Sequence, residues 1–515
     1  MHRRFIFVVF VLFASAAYAD IKLPAIISDN MVLQADSNVP IWGNAEPQSK
    51  ITIACSWSDA KVAADSDKQG KWMMKIKTPK SGSNCTITIT CGQETKTVHN
   101  ILIGQVWLCS GQSNMRWYVK DVKDAKNEIA AANYPDIRLF TVPMTASKVP
   151  LDDCNSQWVV CSPANVAEFS AVGYFFGREI HKKLNVPVGL INSSYGGTPA
   201  QAWTRKEILA EDSQLKKYLE DDAKNEANKQ KFQEKYDLML SKWEKKVQAA
   251  KASGQKSPKK PKMPLELSEK NKSSVLYNAM IHPLIPYAIK GSIWYQGESN
   301  DDEAVLYRKL FPAMIKNWRQ DWQQGDFPFY YVQLASYEKY MKKNSSGLPD
   351  LTVPADSNWA MLREAQSLTL SLPNTGMAVA MDIGEVDNIH PKNKQDVGKR
   401  LALWAFAKDY GFKDIVYSGP LYKNMKIEND KARIYFDCTG SGLMTKGDSI
   451  KGFAIAGADK KFLWANAKID GDTVLVWSEQ VKNPTAVRYG WADWIECDLY
   501  NKEELPASPF RTDDF

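Results

Sequence analysis

The sequence predicts an α/β protein in which a three-layer domain with a parallel sheet is flanked by N-terminal and C-terminal β-sandwich-like domains. Three observations predict it. Between residues 103 and 412, short apolar runs alternate with segments of helical periodicity, the mark of strands covered on both faces. Before and after that stretch, period-two alternation and turn residues dominate. A chain of 515 residues is also too long for a single hydrophobic core.

In chain order, residues 1–19 read as a cleavable export signal. Arg3 and Arg4 give a basic start, Phe5 to Phe13 is apolar, and Ala17-Tyr18-Ala19 is a small-x-small cleavage site. The apolar stretch is too short to span a bilayer, no later segment is long and apolar enough, and no cysteine stands at the cleavage site to carry a lipid. The expectation is an exported protein, periplasmic or extracellular, with no membrane span. Loss of Arg3 and Arg4 lowers the formal charge from +7 to +5, since residues 1–19 hold no acid. Much of the remaining excess lies in one lysine-rich stretch, so nucleic acid is not an expected partner.

Residues 20–102 form the N-terminal β-sandwich, with strands such as Val39 to Asn44 and Lys50 to Cys55. Eight cysteines in an oxidising compartment permit disulfides. Cys85 and Cys91 share one expected strand, where about 20 Å of extended chain keeps them apart. Cys55 with either of them, Cys154 with Cys161, and Cys438 with Cys497 are the open pairings; free buried thiols are the alternative. Residues 103–412 form the α/β domain, interrupted by a helical, lysine-rich insertion at 205–271. In it Phe232, Tyr236, Met239, Trp243 and Val247 recur at helical spacing before the Lys- and Pro-rich run 253–262. From 413 to 515 the chain is β again, with Asp470-Gly471 as a hairpin turn. Trp491 and Trp494 are of the type that stacks on sugar rings.

Within the α/β domain, the run Gln105-Val106-Trp107-Leu108 leads into Cys109-Ser110-Gly111-Gln112-Ser113-Asn114-Met115. A strand that ends in a Gly-flanked serine fixes a hydroxyl at a sharp turn above the sheet edge. A serine needs an imidazole to take its proton and a group to orient that imidazole. Past the leader the histidines are His99, His181, His282 and His390. His181 lies on a helical stretch, His99 closes a β-rich segment, and His282 before Pro283 fits a core histidine bonded to backbone. Only His390 has a carboxylate, Asp387, three residues upstream across a short turn. Asp382 and Glu385 are weaker candidates for the orienting acid. No two histidines have metal-ligand spacing, and neither metal nor cofactor is expected.

Donors for an oxyanion are available at two more strand ends. Val188 to Asn192 runs into Ser193-Ser194-Tyr195-Gly196-Gly197-Thr198, and Gly291 to Tyr295 runs into Gln296-Gly297-Glu298-Ser299-Asn300. The Gln296 amide is a possible side-chain donor.

These blocks in this order resemble the SGNH (GDSL-type) hydrolase superfamily and, within it, the sialate O-acetylesterase family of carbohydrate esterases. The matching stretches are Gly111 to Met115, Asn192 to Thr198 with Trp203 following, Trp294 to Asn300, Asp387 to Pro391, and Leu505 to Thr512. The resemblance implies Ser113 as nucleophile, His390 as base and Asp387 as its orienting acid. It also implies an oxyanion hole from the N–H groups of Ser113 and of Gly196 or Gly197. The wider superfamily offers an asparagine where this chain has Gln296, which makes Gln296 the substitute donor. Glu298 supports Ser113 or binds sugar; Trp203 and Asn300 are further candidates for substrate contact. The implied activity is metal- and cofactor-free hydrolysis of acetyl esters on an acetylated glycan, either sialic acid or plant glycans such as acetylated xylan or xyloglucan. A non-catalytic carbohydrate-binding protein on an esterase fold is the rival of a different class. Oligomeric state is not legible.

Overall fold

The computed structural model describes residues 20–338, 350–354 and 356–514. The expected export signal, residues 1–19, lies outside the described residues. The chain is mixed α/β, with a large, mostly parallel central sheet and antiparallel sheets at the C-terminal end.

Across the central sheet the strands run Thr375–Val379, Phe329–Gln333, Gly291–Tyr295, Glu94–Gly111, Val188–Ser194, Tyr134–Thr141 and Trp158–Cys161. Each neighbouring pair is parallel except the last, where Trp158–Cys161 closes the edge antiparallel. Helices cover both faces. In register with Cys109 and Ser110 of the long strand stand Ile293 and Trp294. On one face the Cys109 thiol approaches Gly173 of the helix Ala171–Leu184, which packs on the helix Lys394–Lys408. On the other, Trp294 meets Phe311 and Trp318 of the helix Ala304–Trp322. Apolar residues on successive positions of each strand are what two covered faces require.

The strand Glu94–Gly111 is shared between two environments. Its first half alternates in exposure and pairs antiparallel with Gly82–Cys91, whereas from Ile101 onward it is almost wholly buried in the parallel sheet. The boundary expected between residues 102 and 103 therefore falls inside one continuous strand. Ile51, Ile89, Trp107 and Trp294 accordingly belong to one apolar core. The expected N-terminal strands are present as Asn38–Asn44 and Lys50–Cys55. Cys85 and Cys91 lie on one strand, and all eight cysteines are free thiols in the structure.

The insertion holds the helices Lys206–Glu211, Lys216–Ala227 and Lys229–Ala252. Phe232, Tyr236, Met239, Trp243 and Val247 form its half-buried stripe, and the Trp243 indole donates to Pro258 O of the following loop. The C-terminal strands enclose a second core around Ile434, Val474, Ile455 and Tyr489. Asp470 pairs with Thr473 across Gly471-Asp472, as the turn chemistry requires. Arg363, fully buried, ties this unit to the central sheet by donating to Leu334 O, Ala335 O and Ala492 O. Among the described residues no helix is long and apolar enough to cross a membrane.

Candidate active site

The long strand stops at Gly111, whose φ is +138° and where an added Cβ would lie 2.2 Å from Tyr295 O. Only glycine allows that approach. Gly111 O accepts from Tyr195 N, and Gln112 N donates to Tyr295 O, so the turn is stitched to the strands on either side. The next residue, Ser113, opens the short helix Ser113–Arg116 and is half-buried. It thus sits beyond the carboxyl ends of the strands, where parallel sheets place ligands.

His390 reaches it from the loop after Thr375–Val379. His390 Nε2 lies 2.8 Å from Ser113 Oγ. The ring stacks on Trp117 at 4.7 Å between centroids and 15° between planes. Its backbone N–H donates to Asn388 Oδ1, and Asn388 Nδ2 donates to Glu385 Oε2. Burial, and secondarily the charge of Lys394, lower the imidazole pKa to about 4. The ring is therefore neutral at pH 7 and able to accept a proton.

Beneath this pair lies a buried polar cluster. Asn114 Nδ2 donates to Ile389 O and to Glu298 Oε1, and Asn114 Oδ1 accepts from Lys394 Nζ. Lys394 is fully buried at the first turn of its helix, below the ring of Tyr295. Burial brings its ammonium down to about 7 against the opposing pull of Glu298, while burial raises the Glu298 carboxyl. The cluster fixes the peptide just before His390 relative to the residue just after Ser113.

The opposite wall is the turn after Val188–Ser194. A Cβ on Gly196 would lie 3.3 Å from Ser113 Cβ, and Gly197 has φ +66°. Among the described residues the backbone N–H groups of Ser113, Gly196 and Gly197 have no hydrogen-bond partner, so all three remain available as donors. Lys270, from the insertion, donates to Gly196 O and covers the Tyr195 ring. A serine bonded to a neutral imidazole, with free N–H groups alongside, is an arrangement that can attack an acyl carbonyl.

A family model described as carbohydrate esterase, sialic acid-specific acetylesterase matches residues 103–254 and 265–406. The chain belongs to that family. It is 30% identical to the sialate O-acetylesterase of Mus musculus over 95% of this chain and 94% of that protein. The human sialate O-acetylesterase is likewise 30% identical, over 95% of this chain and 92% of that protein. Among solved structures, a carbohydrate acetylesterase from Xanthomonas citri superposes with a TM-score of 0.80 at 35% identity, covering 96% of this chain and all of that one. As a family member the chain is a carboxylic-ester hydrolase.

The structure brings Ser113, His390, Gly196 and Gly197 together and treats the other expected site residues differently. Asp387 is exposed, and among the described residues nothing bonds its carboxylate to the imidazole. The weaker candidates are engaged elsewhere: Asp382 chelates Arg400 at 2.6 and 2.8 Å, and Glu385 caps the turn through Asn388 and Lys392 N. Gln296 is fully buried. Its amide donates to Thr198 O and Asn300 Oδ1 and accepts from Tyr307, which leaves no proton for an oxyanion. Trp203 and Asn300 are buried as well, bonded to Thr198 Oγ1 and to Gln201 and Ala200 N, so neither offers a face to sugar. Glu298 lies under the site, on Asn114, consistent with support of Ser113 rather than sugar contact. The corrections at Gln296, Asn300 and Trp203 share one cause: all three side chains bond to the segment Thr198 to Gln201, just past the glycine turn, and hold it from beneath.

Sequence reasoning missed Asn114, Trp117 and Lys394. Asn114 and Trp117 sit within four residues of the nucleophile, a signal that proximity alone supplies. Lys394 gives none, because a lysine opening a helix reads as solvated. His282 and His181 are what the sequence suggested, bonded through Nδ1 to Leu151 O and Val186 O. A cavity of about 820 Å³ lined by Arg205, Tyr277, Asp321 and Lys272 includes neither Ser113 nor His390.

Proposed function

We propose that the chain is an exported sialate-type O-acetylesterase, hydrolysing acetyl esters on sugar hydroxyls through a Ser113 acyl-enzyme on an SGNH-type catalytic domain. Ser113 Oγ adds to the acetyl carbonyl as His390 Nε2 takes its proton. The oxyanion rests on the N–H groups of Ser113 and of Gly196 or Gly197. The imidazolium returns the proton to the departing sugar oxygen, and the C–O ester bond breaks. Water, deprotonated by His390, then displaces Ser113 and frees acetate. Asp387 acts in this scheme as a carboxylate at the loop surface that stabilises the transient imidazolium through its field. Gln296, Asn300 and Trp203 position the glycine turn. The basic and apolar character of residues 1–19 supports export.

One observation carries the reading: the 2.8 Å contact between His390 Nε2 and Ser113 Oγ beside unbonded N–H donors. Acetate release from a panel of acetylated glycans, with wild type and Ser113→Ala compared, tests it. Release by wild type and its loss in Ser113→Ala are expected. Binding of the glycans without any release would favour a carbohydrate-binding protein instead.

A further inference from the structure

Arg116 and Lys270 are two cations beside the nucleophile that, among the described residues, no acid neutralises. Arg116 follows Ser113 by three residues, one helical turn, and so lies on the same side of the short helix. Lys270 reaches across to Gly196 O, on the wall that touches Ser113. Both are half-buried. Among the described residues the Arg116 guanidinium bonds only to the Tyr118 hydroxyl, at 2.6 Å, and it also stands over that ring. Among the described residues neither cation makes an ion pair.

The surroundings make this notable. Lys272, two residues on, is matched by Glu226 and Glu269 at 2.6 and 2.9 Å, and Lys229 by Glu269 at 3.1 Å. The insertion therefore neutralises neighbouring lysines but sets Lys270 unmatched on the glycine wall beside Ser113, whose own short helix carries Arg116. Burial first, and then the Arg116 charge, hold the Lys270 ammonium below the ordinary lysine value. Two like charges kept close and partly desolvated are unfavourable unless an anion joins them. Arg116 retains guanidinium N–H donors beyond its one bond, and the planar guanidinium is suited to a carboxylate.

We infer that Arg116 and Lys270 form an anion subsite that takes the carboxylate of an acidic O-acetylated sugar while its acetyl ester lies at Ser113. The inference rests on the acetylesterase reading above and adds to it the two residues that would recognise the substrate's carboxylate. A carboxylate is common to sialic acids and to uronic acids, and a neutral xylan or xyloglucan lacks one unless it carries uronic acid. The insertion, through Lys270, then takes part in specificity.

The test compares kcat/KM for an O-acetylated sialic acid and for the same compound with its carboxyl group converted to a carboxamide. Acetylated polygalacturonate, a neutral acetylated xylan and an aryl acetate complete the panel. Wild type is expected to prefer the free acid over the carboxamide by about 10- to 100-fold, the scale of one or two charge-assisted hydrogen bonds, and to do so through KM. In Arg116→Gln and Lys270→Gln that ratio should fall toward one. The ratio is internal to each variant, so a general loss of activity from a disturbed glycine turn cancels out. If Lys270 only braces Gly196, both substrates slow together and the ratio stands, which overturns the inference. Equal turnover of acid and carboxamide by wild type overturns it too, as does a preference for the neutral xylan. Preference for polygalacturonate over the sialic acid supports the subsite and identifies a uronic acid as the source of the carboxylate. A wild type that releases no acetate from any of these, the aryl acetate included, refutes the esterase reading rather than the subsite alone.

Discussion

Replacing Lys394 by glutamine should move the acid limb of catalysis upward by a bounded amount. The neutral imidazole of His390 is the active form, so kcat/KM is fully present above its pKa and is lost as pH falls through it. Two causes lower that pKa from 6.5 to about 4, burial first and the Lys394 charge second. Burial is the larger cause and survives the substitution, so removing the charge raises the limb only part of the way back toward 6.5. Lys394 is itself charged throughout that range, because its own pKa lies at about 7. Glutamine keeps a donor for Asn114 Oδ1 and removes only the charge. The assay is acetate release from an aryl acetate in quenched samples between pH 3.5 and 8, with circular dichroism to establish that the variant is folded. kcat/KM is the quantity to plot, since it reports the free enzyme. A wild-type limb at 6.5 or above refutes the buried environment assigned to His390. An unmoved limb in a folded Lys394→Gln removes Lys394 from the account.

Other substitutions separate positioning from chemistry. Asp387→Asn should lower kcat by no more than about 5-fold, the effect of a solvent-screened charge. A loss near the ~10⁴-fold seen when a buried triad acid is neutralised would show instead that Asp387 holds Nδ1 directly during turnover. Gln296→Ala strands Thr198 O and removes the acceptor of the Tyr307 hydroxyl in a buried site, leaving Asn300 Oδ1 with Ala200 N alone, so the urea midpoint should fall by the equivalent of about 2–4 kcal/mol. Unchanged stability with a 100- to 1000-fold drop in kcat would restore Gln296 as an oxyanion donor. Trp117→Ala removes the ring stacked on His390 and should reduce kcat about 10-fold with KM nearly constant, since such a contact contributes about 0.5–1.5 kcal/mol. A rise in KM alone would make Trp117 a sugar contact.

Much of the fold was legible because burial on two faces and on one face write different patterns. The run ending at Gly111 and the alternation of Lys50 to Cys55 could be told apart in the sequence. The shared strand Glu94–Gly111 was not, since its sequence switches pattern at Ile101 while its backbone runs on. At the site, Ser113, His390 and the glycine pair were readable from strand ends and turn chemistry. The roles of Gln296, Trp203 and Asn300 were misjudged because a polar residue after a strand looks the same whether it faces the cleft or packs below it. Only the hydrogen-bond partners decide that. Lys394 and Lys270 were invisible for a related reason: one is a buried lysine and the other is unmatched among matched ones, and neither property is local in sequence.

The central claim is that Ser113 is the nucleophile, and covalent trapping tests it most directly. The chain is inactivated with a serine-directed phosphonate and the adduct is located by peptide mass spectrometry. The account predicts one adduct, on Ser113, formed in step with the loss of acetate release and prevented when His390 is protonated at low pH. Inactivation with the adduct on another serine, and Ser113 unmodified, would contradict it.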